Sequence, residues 1–261
     1  MIKRFYFLFL ILLVEGASLM AVELMGAKLL APFYGSSLYV WTAILCITVL
    51  GLSLGYYIGG RLSEKYASEK LLIFIVSIAS LLVYALPITA VSVISITANM
   101  QLIQGICMAS FLLLIPPMFC FGLVGPMVVR LMASRMENIG HVAGSVYFTS
   151  TLGGILATFL FGFYLIPEAG LKFSAHLTAI ALVFLLLVYF FKTIFSNNYE
   201  VVLDAEEDAK NEIKPQTVSK AKISKVQGIK IKNTVYLFAA LEGATVMAVE
   251  LMAARMLAPY I

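Results

Sequence analysis

Long apolar stretches separated by short polar, glycine- or proline-containing breaks make up most of this chain. A helix needs about 20 apolar residues to cross a hydrocarbon core of about 30 Å. Seven stretches reach that length, at 5–29, 37–60, 70–94, 101–125, 142–166, 173–195 and 234–257. The pattern predicts an all-α protein, a polytopic transmembrane helix bundle. One long polar interval interrupts it. Residues 196–233 begin acidic (Glu200, Asp204, Glu206, Glu207, Asp208) and end basic (Lys220, Lys222, Lys225, Lys230, Lys232) with little hydrophobic periodicity. This interval reads as a flexible linker, its basic half having a short surface helix as the alternative. Three segments follow: six helices over 1–195, the charged linker over 196–233, and a last helix within 234–261.

That last helix restarts the first. Glu15-Gly16-Ala17-Ser18-Leu19-Met20-Ala21-Val22-Glu23-Leu24-Met25 returns 227 residues later as Glu242-Gly243-Ala244-Thr245-Val246-Met247-Ala248-Val249-Glu250-Leu251-Met252. From Val14 to Tyr34, 13 of 21 positions are identical to their counterparts. Six spans separate the copies, so both cross the membrane in the same direction. This is a parallel repeat, related by an axis along the membrane normal. The chain thus reads as a six-helix repeat followed by the first helix of a second, truncated one, with a seven-span protein whose last helix packs alone as the alternative. The restart also bears on the amino terminus. Lys3 and Arg4, the apolar run after them and Gly16-Ala17-Ser18 imitate a secretory signal, but the same small-residue segment recurs at 243–245, where no signal is cleaved.

Composition agrees with this picture: 62% of residues are hydrophobic and only 12% charged, far from the balance of a water-soluble domain. Basic residues orient the spans. With the amino terminus cytoplasmic, 15 of the 18 Lys and Arg residues fall inside, leaving Lys28, Lys172 and Arg255 outside. The expected location is the inner (plasma) membrane, multi-pass, with the lipid bilayer as the first partner. The net charge of +4 carries no basic stripe interleaved with aromatics, so nucleic acid is not a partner. Cys46, Cys107 and Cys120 lie in apolar runs without metal-ligand or disulfide spacing. No metal and no cofactor is expected, and the Gly59-Gly60 and Gly153-Gly154 pairs lack the strand context of a phosphate cradle.

Acidic residues inside spans are the candidates for chemistry. Glu15 falls near the middle of the first span, where a carboxylate costs several kcal/mol unless paired, protonated or facing water. Glu23 lies eight residues on, about 12 Å along the same helix. Glu242 and Glu250 repeat the pair. Two readings stand side by side. Glu15 and Glu242 face each other across a central cavity as a substrate or proton site, with Glu23 and Glu250 as further candidates. Alternatively, each carboxyl hydrogen-bonds a neighbouring helix and fixes packing. Gly51, Gly55 and Gly59 form a stripe of missing side chains in span two, as do Ser150, Gly154, Thr158 and Gly162 in span five, and both read as helix-packing surfaces. Pro116-Pro117 should kink span four. An intramembrane hydrolase would need an aspartate pair or a serine–histidine pair. No aspartate occurs in any span, and His141 and His176 have no serine partner at recognisable spacing.

Two regions resemble a known family. One runs from Glu15 to Lys65 with Leu30-Ala31-Pro32-Phe33-Tyr34-Gly35-Ser36-Ser37-Leu38-Tyr39-Val40-Trp41 and Leu54-Gly55-Tyr56-Tyr57-Ile58-Gly59-Gly60-Arg61-Leu62. The other runs from Gly125-Pro126 to Pro167 with Val142-Ala143-Gly144-Ser145-Val146-Tyr147 and Ser150-Thr151-Leu152-Gly153-Gly154. They resemble the membrane region of the fused MFS/spermidine synthase family, in which helices like those of the major facilitator superfamily (MFS) are joined to a polyamine aminopropyltransferase domain. Gly60, Arg61, Glu64 and Lys65 are similar to the cytoplasmic loop motif of that superfamily, without its later glycine and arginines. The resemblance implies an MFS-like six-helix repeat and a transporter-like module for a cationic or polyamine-like solute. It also implies the alternative of a non-transporting anchor or regulatory platform for a polyamine-synthase domain, downstream or separate. No aminopropyltransferase sequence lies in this chain, so the resemblance implies that it is not itself an enzyme.

Overall fold

Local chemistry marks several of the helix ends. The computed structural model describes residues 2–133, 139–208, 240–246, 248–249 and 252. Helix α1 spans Ile2–Tyr34 and α2 Leu38–Tyr66. Between them Gly35 takes φ +78°, a left-handed conformation that glycine adopts without steric cost. Helix α3 spans Glu69–Thr97, and its start is marked by Ser68, whose hydroxyl accepts from the Leu71 amide at 3.1 Å while Glu69 sits in the first turn. Helix α4 spans Leu102–Ala133 and stays helical through Pro116 and Pro117. Helix α5, Ile139–Leu160, widens into a π-helical stretch over Phe161–Ala169, and α6 follows over Gly170–Asp208.

Five of the described helical stretches are long and apolar enough to cross a membrane: Tyr6–Tyr34, Leu38–Tyr66, Glu69–Thr97, Leu102–Ala133 and Gly140–Phe191. The described residues are all-helical, and the chain is a multi-pass membrane protein. The fifth stretch has 52 residues, roughly 78 Å of helix against a core of about 30 Å. Packing shows that it turns back on itself. Ser150 and Gly153 of α5 meet Gly16 and Leu13 of α1, and further up both helices Gly154 meets Met20, so α1 and α5 run parallel. The Tyr189 ring of α6 lies 6.0 Å from that of Phe7, whereas Leu177 and Thr178 share a slot with Leu13 and Ala17, so α6 runs antiparallel to α1. Against α3, the Ser80 hydroxyl donates to the Ala179 carbonyl at 3.0 Å and Tyr84 stacks on His176, again antiparallel. The reversal falls at Gly170, where φ is +81°.

Two expected boundaries move. A loop was expected between 166 and 173, but helical hydrogen bonding continues in the wider π form to Ala169. The linker was expected from 196, but α6 continues to Asp208, since 196–208 holds neither Gly nor Pro. The remainder of the linker, 209–233, lies outside the described residues. The chain divides into two compact units, Met1–Lys192 and Thr193–Ile261. In the second, residues 240–246 are helical. There the Thr245 hydroxyl donates to the Leu241 carbonyl at 2.7 Å, the same bond that Ser18 makes to Val14 at 2.7 Å in α1.

The core of the first unit gathers around α1 and α4, with Ile11, Leu12, Met25 and Leu30 packed against residues such as Ile106, Leu114, Met118 and Phe121. Helix α3 shows how the sequence divides: Leu72, Ile75, Val76, Ala79, Val83, Leu86, Ala90 and Ile94 are buried at helical spacing, while Phe74, Ile78, Leu81, Ile88 and Val91 stand exposed. An apolar exterior over an apolar core is what hydrocarbon surroundings permit.

At one end, the Tyr34 hydroxyl donates to Thr97 Oγ1 at 2.6 Å, and a Cβ on Gly105 would stand 3.1 Å from the Tyr34 ring. One side chain thus ties the end of α1 to the end of α3 and the start of α4. Tyr34→Phe should lower unfolding free energy in detergent micelles by about 1 kcal/mol, the worth of one neutral hydrogen bond. A much larger loss would mean that Thr97 also depends on Tyr34, although its own bond to the Val93 carbonyl remains.

Candidate functional site

The close approach of α1 and α5 creates the site. Gly16 and Gly153 carry no side chain where the helices touch: a Cβ on Gly16 would fall on the Ser150 carbonyl oxygen, and one on Gly153 on the Leu13 carbonyl oxygen. A Cβ on Gly154 would sit 2.8 Å from Met20 Cγ. This contact brings Ser150 level with Glu15. The Ser150 hydroxyl donates to Glu15 Oε2 at 2.9 Å, and the glutamate is only 5% exposed. Among the described residues this is its one hydrogen bond, and no cationic side chain stands within ion-pair distance of it.

Beside the contact lies a cleft of about 490 Å³ between α1, α2 and α5. Tyr56 of α2 and Tyr147, Ser150, Thr151 and Thr158 of α5 bring hydroxyl groups to its wall, and Leu19, Met20, Leu52, Ile155 and Phe159 the apolar remainder. Thr158 donates to the Gly154 carbonyl at 2.9 Å, so its proton is used within its own helix. Glu15 therefore stands behind the Ser150 wall of a cleft lined in part by hydroxyl-bearing residues. A second slot, about 280 Å³, lies between α1, α5 and α6 and is apolar, because its two hydroxyls, Ser18 and Thr178, bond back to the Val14 and Ser174 carbonyls.

Glu23 is buried (9% exposed) two turns along α1 and does not line the cleft. Glu242 is exposed on the helical residues 240–246, and Glu250 lies outside the described residues. Gly60, Arg61, Glu64 and Lys65 were expected in a loop, but α2 continues through them to Tyr66, leaving only Ala67 and Ser68 before α3. The helix is held there by local bonds: the Arg61 guanidinium lies 4.2 Å over the Tyr57 ring one turn back, and the Ser63 hydroxyl donates to the Gly60 carbonyl at 2.7 Å.

The span-two glycines face α4. A Cβ on Gly51 would stand 2.9 Å from Met118 Cβ, one on Gly55 2.5 Å from the Phe119 carbonyl oxygen, and one on Gly59 3.0 Å from Leu123 Cα. Gly162, expected in the matching stripe of span five, has nothing within 4 Å. The π-helical stretch starting at Phe161 breaks the 3.6-residue period, so the fourth step of the stripe turns off the contact. Tyr56, Tyr147 and Thr151 were not singled out by sequence reasoning as site residues, and Ser150 entered only as a small packing residue.

Compared with family models, curated proteins and solved structures, the chain returns no match. What the fold and the site define is a class: a multi-pass helical membrane protein with a buried carboxylate beside a hydroxyl-lined cleft.

Proposed function

We propose that the chain is a transporter-like membrane module that takes a cationic solute into the α1–α2–α5 cleft, with Glu15 as the counter-charge. One observation carries this reading: a mid-helix carboxylate borders an open, tyrosine- and hydroxyl-lined cleft with a neutral serine as its only hydrogen-bond partner among the described residues. An ionisable side chain in a span is costly, and such groups mark substrate or proton pathways. The parallel repeat supports the reading, since it sets Glu242 at the Glu15 position of a second copy of α1 and corresponds to the two-half layout of the major facilitator superfamily. So does the resemblance to the membrane region of fused MFS/spermidine synthases. In this reading the amino terminus is cytoplasmic, the membrane is the inner (plasma) membrane, and the module moves its solute without transforming it.

The test is uptake of radiolabelled amines into vesicles carrying the purified full chain. Glu15→Gln preserves shape and the Ser150 contact but removes the charge. It is expected to lower uptake by roughly tenfold or more, the equivalent of about 1.4 kcal/mol of lost ion pairing, whereas Glu23→Gln has a smaller effect. Undiminished uptake by Glu15→Gln would remove the basis of the proposal.

A further inference from the structure

The lining of the cleft selects among cations. Counted by charge, the wall is poor: Glu15 behind Ser150 is its one acidic group among the described residues, and Glu23 does not reach it. Counted by surface, it is rich in apolar and aromatic area, with Leu19, Met20, Leu52, Ile155 and Phe159 beside the rings of Tyr56 and Tyr147. A polyamine carries several ammonium groups along a thin chain, and each one taken out of water needs its own acceptor or counter-charge. The cleft offers that to one. A volume of about 490 Å³ also lies within the roughly 300–1,000 Å³ of small-molecule sites, more than a bare metal or ammonium ion requires.

We infer that the cleft recognises a lipophilic monoamine: one ammonium group held at Ser150 and the Glu15 carboxylate, and one aromatic or branched apolar body laid against the α2 and α5 walls. This rests on the reading of Glu15 as a cation site and narrows its substrate class. The roles divide by chemistry. Glu15 supplies the counter-charge. Ser150 supplies an oxygen lone pair on the cleft side while its proton stays on Glu15. Tyr56 and Tyr147 present negative ring faces to the cation and apolar surface to the body. Neither tyrosine hydroxyl makes a hydrogen bond to a described residue, so both are available to a ligand.

Equilibrium binding to the purified full chain in lipid nanodiscs tests this with three probes: phenethylamine, spermidine and the uncharged 2-phenylethanol. The expected result is that phenethylamine binds at least tenfold more tightly than either of the others. Tyr56→Leu and Tyr147→Leu should each weaken it by roughly three- to tenfold, and Glu15→Gln should reduce it to the level of 2-phenylethanol. Both tyrosines are substantially exposed, so their replacement leaves the helix packing intact and keeps the test independent of folding. Tighter binding of spermidine would overturn the monoamine assignment while leaving Glu15 a cation site. Equal binding of 2-phenylethanol and phenethylamine, or no binding of any probe, would overturn both.

Discussion

Gly55→Val is expected to destabilise the protein strongly, whereas Gly60→Ala, five residues along the same helix, leaves stability unchanged or slightly raised. At Gly55 a Cβ would stand 2.5 Å from the Phe119 carbonyl oxygen and 2.7 Å from Gly122 Cα. Both are backbone atoms, so no rotamer change relieves the clash, and α2 must lift from α4. Gly122 makes the reciprocal demand, its Cβ falling 2.6 Å from the Leu52 carbonyl oxygen. Gly51 and Gly59 extend the same contact above and below, so lifting at Gly55 loosens several turns. Inside a membrane, helices are held by close packing rather than by expulsion of water, and lost contact is not recovered elsewhere. Overpacking a well-packed site costs about 1–3 kcal/mol and occasionally more, and valine adds three carbons against backbone. The loss should exceed about 3 kcal/mol, a large share of the roughly 5–15 kcal/mol that holds a domain together. Gly60 has nothing within 4 Å, so alanine there brings only its helix propensity, a gain of up to about 1 kcal/mol. Chemical unfolding in mixed micelles compares the two. A Gly55→Val protein as stable as the parent would mean that α2 and α4 do not touch at this point.

The contrast between Gly55 and Gly60 marks where sequence reasoning reaches its limit. Spacing by four groups Gly51, Gly55 and Gly59 on one face and leaves Gly60 off it, so the existence of a packing surface is legible. That Gly122 answers Gly55 is not, because many pairings of small residues satisfy the same requirement in lipid. The spans are legible for a similar reason: hydrocarbon thickness imposes their length. Their ends are less so, since helix termini depend on single bonds such as Arg61 over Tyr57 or Ser68 to the Leu71 amide. The π-helical stretch before Gly170 was hidden as well, because Pro167 and Gly170 signal a turn without saying how the helix arrives at it. Glu15 shows the division most sharply. Its cost in a span makes a partner necessary, yet Ser150 is 135 residues away, and only the parallel contact of α1 with α5 brings the two side by side. The same contact sets Tyr147 and Thr151 beside them and α2 adds Tyr56, and none of the three carries a signal in isolation.

Gly16→Ala tests that contact and the site together. In an exposed helix the change would be favourable by up to about 1 kcal/mol; here its sign should reverse. The added methyl would occupy the position of the Ser150 carbonyl oxygen, a backbone atom in the middle of α5. Helix α5 must retreat, and the Gly153 approach to the Leu13 carbonyl three residues away on α1 is lost with it. Retreat also draws the Ser150 hydroxyl from Glu15 Oε2 and leaves a buried carboxyl group without its donor. A net loss of about 2–4 kcal/mol follows from overpacking plus an unsatisfied buried acceptor. Ser150→Ala separates the two contributions, because it removes the donor and keeps the helices in place. Its cost should be the smaller, about 1–3 kcal/mol, the penalty for the orphaned acceptor alone. The double variant Gly16→Ala with Ser150→Ala then decides the mechanism. If the alanine at 16 acts partly by displacing the serine hydroxyl, the combined loss falls short of the sum of the single losses by about 1 kcal/mol. Strict additivity would mean that the hydroxyl and the helix contact are independent, and that Glu15 is held by something other than the close approach of α1 and α5.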